Sequence, residues 1–387
     1  MEIPQAIQSL LKDLTHDRRT LHQMPELGLQ EFKTAAYIRQ RLRDFGVKEI
    51  YSLLPTATIA VFRGARPGKT IAFRSDIDGL PVNEETDASF ASKIPGQMHA
   101  CGHDGHMAML LAFAQYLSCH LNAVCGTLVL VFQPAEEGPG GAQLLLEAGL
   151  IEKFAIEEIV GIHLFPEFAE GTIACREHAM MARNGEITIR VQGKSAHGAQ
   201  PQLGHDAILA AAAIIQGLHT ILSRNVSPLA AGVLTFGKIT GGEAMNIIAG
   251  QVQIEGTMRS FSDQTYQTMV ERVTEVVEMT AKAYGCKAIV EFNHMYRVVD
   301  NDPQMVAKLR EVAGSSFVEC DPFMLAEDFS MYQQVIPGLF FFVGTRNDKK
   351  GYVYPLHSSR MQFDEKNLLQ GVAAYVGLIE ALNEVEK

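Results

Sequence analysis

The sequence predicts an α/β protein in which helices cover a mainly parallel sheet, with a smaller βαββαβ domain inserted. Between residues 58 and 165, short apolar runs alternate with helical stretches, an order typical of a parallel sheet buried on both faces. Between residues 184 and 295 the order becomes strand, helix, two strands, helix and strand, which is the ferredoxin-like split unit. A chain of 387 residues is also too long for one ordinary core. We therefore expect a larger α/β domain of residues 1–183 and 296–387 and an inserted domain of residues 184–295.

The apolar runs predict the strands in chain order. In the larger domain the strands are TIAVFRG, TIAFRSD, GTLVLVFQP, EIVGIHLF and GLFFFVG. The helices that cover them are expected at residues 106–121, 141–148 and 303–314 and from residue 364 onward. In the inserted domain the strands are EITIRVQG, GVLTFGKI, QVQIEGTMRSF and KAIVEFN, with helices at 205–222 and 263–284. Four to eight apolar residues between turn signals are typical of buried strands.

The composition excludes several classes of function. The chain is 47% hydrophobic and 20% charged, as in ordinary globular proteins. Its formal net charge is −11 without a long basic run. This argues against a nucleic-acid partner, because binding phosphate backbones needs clustered Lys and Arg. The longest purely apolar stretch, residues 207–215, is far shorter than a membrane span, so no membrane partner is expected.

The N-terminus and the cysteines predict a reduced compartment. MEIPQAIQSLLKDL is typical of an amphipathic acidic helix and lacks the basic flank and apolar core of a signal peptide. The six cysteines are scattered and show no paired framework like that of small secreted domains. We therefore expect a cytoplasmic protein in which Cys101 is free to act as a thiolate.

Chemically active side chains gather at the predicted ends of the strands. In open α/β sheets, ligands bind beyond the carboxyl ends of the strands. Five separate segments place Asp, Cys, His or Glu there, namely SDID at 75–78, MHACGHDGHMAM at 98–109, PAEEG at 134–138, His163, and YPLHS at 354–358. Five such coincidences are hard to attribute to chance, so the segments predict one shared site.

Each histidine and cysteine also has a purely structural interpretation. A lone His163 on an apolar strand is more often a hydrogen-bonded core residue than a ligand, and most buried cysteines are inert. Cys101 and His103 lie two residues apart, so one short loop can direct both side chains at a common point. His99 and His106 are weaker candidates, because His106 falls one turn into a helix that begins near residue 103.

The adjacent glutamates Glu136 and Glu137 favour a catalytic metal site over a structural one. Such a pair usually lies in a solvated loop, but the flanking PA and GPGG place this one directly after an apolar run. At a catalytic metal, one glutamate binds the ion while the other handles protons. Cys, His and Glu donors suit zinc or another late divalent metal, and carboxylates admit manganese. Five or more donors indicate two metals that share a water, as in many hydrolases.

Seven motifs resemble those of one enzyme family. In the chain they read LHQMPELGLQEF, MHACGHDGHMAML, VFQPAEEGPGGA, GIHL, GKSAHGAQP, AEDFSMY and LHSSRMQFDE. Together they resemble the aminoacylase, hippurate hydrolase and auxin-conjugate hydrolase branch of the dinuclear metallopeptidases, and CGHDGH with PAEEG is highly specific. The resemblance covers essentially the whole chain. It implies an amidohydrolase that cuts an N-acyl group from an amino acid, with an α/β catalytic domain and a ferredoxin-like lid.

The resemblance also implies roles for residues of the larger domain. The implied metal ligands are Cys101, His103, Glu137, His163 and His357. Glu136 resembles the general base, and Asp78 would orient a metal ligand. In the wider clan His-x-Asp follows the first strand, whereas this chain has Ser75-Asp76-Ile77-Asp78. Cys101 would then supply the donor that the missing histidine supplies elsewhere.

Three residues of the inserted domain complete the implied site. His197 in GKSAHGAQP resembles the lid histidine that reaches the active site of a neighbouring subunit in dimeric relatives. Asn246 and Arg259 resemble lid positions that face the carboxylate of the substrate, which a guanidinium binds with two parallel hydrogen bonds. The resemblance therefore implies a homodimer formed through the lid.

We predict an enzyme that hydrolyses N-acyl-L-amino acids, with N-acetyl or N-benzoyl as the acyl group. Water activated at two divalent metals would attack the amide carbonyl, with Glu136 as general base and His197 at the oxyanion. The expected ions are Zn²⁺ or Mn²⁺, with Co²⁺ or Ni²⁺ also suitable. Three alternatives stay open: a dipeptidase or exopeptidase of the same clan, a deacetylase of N-acetyl-diaminopimelate or a sugar, and a non-catalytic metal- or ligand-binding protein.

Overall fold

A computed structural model describes residues 2–383 and divides the chain into two units. The first unit comprises Met1–His178, Asp300–Asp321 and Asp328–Lys387. The second comprises Ala179–Val299 and the short segment Pro322–Glu327. The boundaries expected from the sequence, 183/184 and 295/296, lie a few residues inside the second unit, and the segment 322–327 was not expected there. That the second unit serves as a lid and dimerisation domain stays a prediction.

Helices and strands are numbered in chain order. The α-helices are α1 (Gln5–Gln8), α2 (Leu11–His22), α3 (Phe32–Asp44), α4 (His103–His120), α5 (Gly141–Glu147), α6 (Leu150–Phe154), α7 (Ala207–Leu218), α8 (Thr220–Arg224), α9 (Asp263–Ala283), α10 (Pro303–Ala313) and α11 (Leu368–Asn383). The strands are β1 (Glu49–Tyr51), β2 (Thr58–Arg63), β3 (Arg66–Asp76), β4 (Cys125–Gln133), β5 (Glu158–Ala169), β6 (Ile173–Cys175), β7 (His178–Met181), β8 (Arg183–Gln192), β9 (Ala196–His197), β10 (Gly232–Gly241), β11 (Ile247–Ile248), β12 (Gln251–Ser260), β13 (Lys287–His294), β14 (Val299–Asn301), β15 (Phe317–Glu319) and β16 (Gly338–Arg346). Short 3₁₀ helices cover Leu121–Ala123, Pro201–Leu203, Gly314–Ser316, Asp328–Gln334 and Glu365–Asn367.

The first unit contains an eight-stranded sheet in the order β1-β2-β4-β3-β5-β16-β6-β15. Its central neighbours β4, β3, β5 and β16 run parallel, whereas β1/β2, β2/β4 and β16/β6 are antiparallel. The apolar parts of the central strands are buried, as expected for strands covered on both faces. The prediction of a mainly parallel α/β sheet is confirmed.

Helix α4 lies in the core of the first unit and begins within the stretch MHACGHDGHMAM. Every residue from His103 to Ala114 is buried. The helix begins directly after Gly102, whose φ of +88° lies in the left-handed region that favours glycine. This sharp entry brings Cys101 and His103 into the interior on either side of the turn.

The second unit has the predicted order of strands and helices. Its four-stranded sheet has the order β10-β12-β8-β13, with every pair antiparallel. Two elements, α7 and α9, cover one face and enclose an apolar core. The helix expected at 205–222 is divided into α7 and α8, and Asp206 caps α7 by accepting hydrogen bonds from the amides of Ile208 and Leu209. The short strands β9 and β11 pair with each other outside the main sheet.

Among the described residues, one helical stretch has the length and composition of a candidate membrane span, namely Ala207–Arg224. Its small and apolar residues Ala210, Ile214 and Leu218 are fully buried in the core of the second unit. The core helix of a globular unit passes the same test, so one such stretch is weak evidence for a membrane span.

Candidate metal centre

The candidate site is formed by loops that follow parallel strands of the first unit. Strand β3 ends at Asp76 and β4 ends at Gln133, directly before the PAEEG turn. His163 lies on β5, which is the neighbour of β3 and β16 in the sheet. His357 lies in the segment that follows β16. Since the carboxyl ends of parallel strands meet at one edge of a sheet, chain segments far apart in sequence converge here.

The five predicted metal ligands lie close together. The Cys101 Sγ atom is 3.4 Å from His163 Nε2. The Glu137 Oε1 atom is 3.1 Å from His357 Nε2 and 4.0 Å from His103 Nε2. Two groups of three have ligand atoms within 4.8 Å of one another, Cys101 with His103 and His163, and Cys101 with Glu137 and His357. Cys101 therefore belongs to both groups.

Backbone carbonyls hold two of the imidazoles in the tautomer that a metal requires. His163 Nδ1 is 2.7 Å from the Leu164 carbonyl oxygen, and His103 Nδ1 is 2.9 Å from the Asp78 carbonyl oxygen. Because a carbonyl oxygen only accepts, each Nδ1 carries a hydrogen, which leaves Nε2 as the nitrogen that can bind a metal.

His106 and His99 differ from these ligands. His106 Nδ1 donates to Asp76 Oδ1 at 2.6 Å, and His106 Nε2 accepts from the Leu164 amide at 2.8 Å. Both ring nitrogens of His106 thus have partners within the protein, which agrees with its being a weaker candidate for a metal ligand. His99 Nδ1 is 3.1 Å from the Asp78 carbonyl oxygen, and burial lowers the pKa of His99 to about 3.

Asp78 contacts two of the loops that carry the ligands. Its Oδ1 lies 3.3 Å from His103 Nδ1, and its Oδ2 accepts from the Glu137 amide at 3.0 Å. One buried carboxylate therefore fixes the His103 ring and the backbone of Glu137 at the same time. This contact with a ligand ring is the kind that orients imidazoles in metal sites.

The electrostatics of the site favour bound positive charge. Burial alone would lower the pKa of His103, but the charge of Asp76 and the contact with Asp78 raise it to about 10. Burial and the nearby carboxylates, Glu137 first, raise the pKa of the Cys101 thiol. Burial opposes ionisation of Glu137, yet His357 and His103 keep its pKa below the ordinary value. Burial and the nearby His106 instead lower the pKa of His163 well below its ordinary value. The protons that His103 and Cys101 hold would be displaced when a divalent cation binds to them.

An unpartnered polar atom supports the same conclusion. Among the described residues, His103 Nε2 is a buried atom without a hydrogen-bond partner. A buried polar atom without a partner is costly and needs an explanation such as a bound ion. The sulfur, nitrogen and oxygen donors here are those of zinc and other late divalent metals. The residues therefore fit a metal centre.

Glu136 is buried beside this cluster and does not lie in a solvated loop. One of its carboxylate oxygens lies within 4.8 Å of the ligand atoms of His103 and Glu137. Its Oε1 also accepts from the main-chain amide of Asp328 at 3.4 Å. Both glutamates thus lie near His103, and Glu136 additionally contacts the Asp328 amide; their separate roles stay a prediction.

A buried polar network around Arg74 was missed by sequence reasoning. The Arg74 guanidinium donates to Asp76 Oδ2 at 2.9 Å, to Gln133 Oε1 at 2.9 Å and to Asp328 Oδ1 at 2.7 Å. All four side chains are fully buried. Arginine in the apolar strand TIAFRSD was a usable signal, because a buried guanidinium needs partners. That Asp328 is the partner of Arg74 could not be predicted from the sequence, since the two residues lie 254 positions apart.

The three predicted residues of the second unit lie in two places. His197 on β9 pairs with Ile247 on β11, and the Gly198 amide donates to the carbonyl of Asn246 at 2.8 Å. His197 and Asn246 are both exposed and share this small ribbon. Arg259 lies on β12, where its Nη1 donates to the Met324 carbonyl at 2.7 Å.

Comparison with known proteins identifies the family. Residues 72–381 match Peptidase family M20/M25/M40. The chain belongs to this family. An N-acetyldiaminopimelate deacetylase of Geobacillus sp. (strain WCH70) is 36% identical over 94% of this chain and 96% of that protein. Thermostable carboxypeptidase 1 of Saccharolobus solfataricus is 37% identical over 92% of each chain.

A solved structure extends the comparison to the fold. The Bacillus subtilis YXEP protein, described as a dinuclear metal binding peptidase of the M20 family, superimposes with a TM-score of 0.85. It is 33% identical, and the match covers 97% of this chain and 98% of that one. The chain is therefore a metal-dependent hydrolase that acts on amide bonds, in a family with dinuclear metal binding. The predicted fold and enzyme class are confirmed, which removes the non-catalytic alternative.

Proposed function

We propose that this M20 enzyme hydrolyses N-acyl amino acids and that N-acetyl-diaminopimelate is the first substrate to test. N-acetyl-diaminopimelate is itself an N-acyl amino acid, so it belongs to the substrate class expected from the motifs. It is also the compound after which a relative, an N-acetyldiaminopimelate deacetylase, is named. The observation that carries the proposal is the buried Glu136 beside the two groups of donors that share Cys101. An acid–base group next to a metal centre is what hydrolysis of an unactivated amide requires.

The contacts of the residues in the first unit support the following roles. Two divalent cations, held by Cys101, His103, Glu137, His163 and His357, would lower the pKa of a water molecule and polarise the amide carbonyl. Glu136 accepts a proton from the attacking water and returns it to the leaving amine. Asp78 keeps the His103 ring and the Glu137 backbone in place during both transfers.

The roles of the second-unit residues rest on the resemblance. Arg259 and Asn246 bind the free carboxylate of the substrate, and His197 donates to the oxyanion in the site of a partner subunit. The bond from Arg259 to Met324 is compatible with this role, because a guanidinium has five N–H donors. The aminoacylase branch, the homodimer and the cytoplasmic location are parts of this proposal.

A substrate panel tests the proposal. The metal-free protein is loaded separately with Zn²⁺, Mn²⁺, Co²⁺ or Ni²⁺ and assayed with N-acetyl-diaminopimelate, N-acetyl and N-benzoyl amino acids, and dipeptides. We expect the highest kcat/KM on an N-acyl amino acid. The Glu136→Gln variant should retain only a small residual activity on that substrate. A panel in which peptides are cleaved best would favour a peptidase instead, the second candidate because of the carboxypeptidase relative.

A further inference from the structure

We infer that Asp328 is a positioning residue for Glu136, acting through its own main-chain amide. The inference rests on the proposed function, in which Glu136 transfers the proton. The Asp328 amide donates to Glu136 Oε1 at 3.4 Å. Residue 328 thus contributes to catalysis through a backbone atom, while its side chain faces a different set of partners.

The side chain of Asp328 anchors that backbone amide. Its Oδ1 accepts from Arg74 Nη2 at 2.7 Å, and its Oδ2 accepts from Gln133 Nε2 at 2.7 Å and from the Ala142 amide at 2.9 Å. The Gln133 Oε1 atom accepts in turn from Arg74 and from the Tyr332 hydroxyl at 3.0 Å. Charge-assisted bonds of this kind are strong and directional, and burial strengthens them further.

This anchor is needed because of where Asp328 lies in the chain. The preceding segment, Pro322–Glu327, belongs to the second unit, and the chain re-enters the first unit at Asp328. A second fixed point follows at once. Phe329 packs against Gly161 of β5 so closely that a Cβ there would lie 2.9 Å from the phenyl ring. The backbone at residue 328 is therefore fixed by the buried side chains of Asp328 and Phe329, both in the first unit.

The anchor serves Glu136 because both are tied to β4. Gln133 is the last residue of β4, and Glu136 follows three residues later in the turn that begins there. The Asp328 side chain binds Gln133 and its amide binds Glu136, so one residue spans the turn. Loss of the anchor would let the Glu136 carboxylate turn away from its reactive orientation. Displacements on the scale of 1 Å can cost about 100-fold in rate.

The first experiment compares Asp328→Asn with the unaltered holoenzyme. Asparagine has the same shape but presents an NH₂ group to a set of donors, which weakens the anchor. We expect kcat to fall on the order of 10- to 100-fold, with KM and metal content unchanged. Arg74→Lys keeps the charge but loses the geometry of the guanidinium, so it should give a smaller loss of kcat. This variant replaces Asp328→Asn if that one does not fold.

A matched control separates positioning from general stability. Asp17 is also a buried carboxylate held by an arginine, since it accepts from Arg41 Nε at 2.6 Å and from the Tyr37 hydroxyl at 2.6 Å. It has no described contact with the metal centre. Asp17→Asn should lower Tm without lowering kcat. An equal loss of kcat in the two variants would overturn the inference.

A double-mutant cycle with Glu136→Gln gives the decisive result. Once the proton carrier is gone its orientation no longer matters, so Asp328→Asn should cost less than twofold in the Glu136→Gln background. An equal fold-loss of kcat in both backgrounds would show that Asp328 acts independently of Glu136. Near-normal turnover of metal-loaded Glu136→Gln would instead contradict the proposed function, which keeps the two failures distinguishable.

Discussion

Glu136 and Glu137 are adjacent in the chain but have different neighbours. Glu137 Oε1 lies 3.1 Å from His357 Nε2, whereas Glu136 Oε1 accepts from the backbone of Asp328. This difference supports a ligand role for Glu137 and a proton-transfer role for Glu136. The two roles predict different effects of the same isosteric substitution: loss of turnover at Glu136 and loss of metal at Glu137.

The glutamate pair yields the first prediction. Glu136→Gln should keep its metal and lose about 10²–10⁴-fold in kcat, because only the proton carrier is removed. Glu137→Gln should lose bound metal, since an amide is a weaker ligand than a carboxylate. Metal content after dialysis and kcat at saturating metal check both statements. Equal metal loss in the two variants would contradict the division of roles.

The histidines of the stretch that begins at residue 98 yield a second prediction. His103→Ala should lose bound metal, because its Nε2 has no hydrogen-bond partner within the described protein and lies 4.0 Å from Glu137 Oε1. His106→Asn keeps a donor for Asp76 but removes the acceptor of the Leu164 amide, which should cost about 1–3 kcal/mol of unfolding free energy with metal content unchanged. Metal analysis and urea unfolding measure both. Metal loss in His106→Asn as complete as in His103→Ala would show that His106 is a ligand.

At the scale of elements, the N-terminal motif LHQMPELGLQEF acquires a physical role. The Nδ1 atom of His22, at the end of α2, lies 2.7 Å from Oδ2 of Asp104 on α4. The carbonyl of Glu26 accepts from the Gly79 amide at 2.7 Å, and Glu31 Oε1 accepts from the Ala135 amide at 2.9 Å. The motif thus supports three segments that carry site residues: the start of α4, the loop after β3 and the turn after β4.

The third prediction concerns this support. Ala135 has a φ of +57°, a conformation that needs outside support in a residue other than glycine. Glu31→Ala removes the acceptor of the Ala135 amide and should lower both stability, by about 1–3 kcal/mol, and kcat. Glu31→Gln keeps an acceptor and should cost less in both. Thermal unfolding and steady-state kinetics of the two variants provide the test, and equal losses would show that the charge of Glu31 matters more than its hydrogen bond.

Sequence patterns predicted the parts of the site that depend on strand ends. The apolar runs before Asp76 and before PAEEG identified β3 and β4, and the parallel arrangement then implied that their loops meet. The partner of each buried polar group was not predictable. His106 is fully bonded only because the Leu164 amide faces its Nε2, and Arg74 meets Asp328 only in the folded chain. Such contacts depend on tertiary packing, which local patterns do not encode.

At the scale of the whole molecule, the fourth prediction concerns a homodimer. His197 is exposed on the small ribbon, where its Nδ1 accepts from the Ala199 amide at 3.1 Å. If His197 acts in the site of a partner subunit, mixing Glu136→Gln with His197→Ala under subunit exchange creates one site with both native residues. Activity should then partly return. Confirmed exchange without recovery would place His197 in its own subunit's site or outside catalysis.

The return segment Pro322–Glu327 limits how this fold can be recombined. The Ala182 amide donates to the carbonyls of Phe323 and Leu325, and Arg259 donates to that of Met324, so the six residues complete the second unit. A chimaera that takes residues 179–299 from a relative must therefore take residues 322–327 from the same donor. The unit is genetically discontinuous, and two separated pieces of coding sequence must change together for it to be inherited intact.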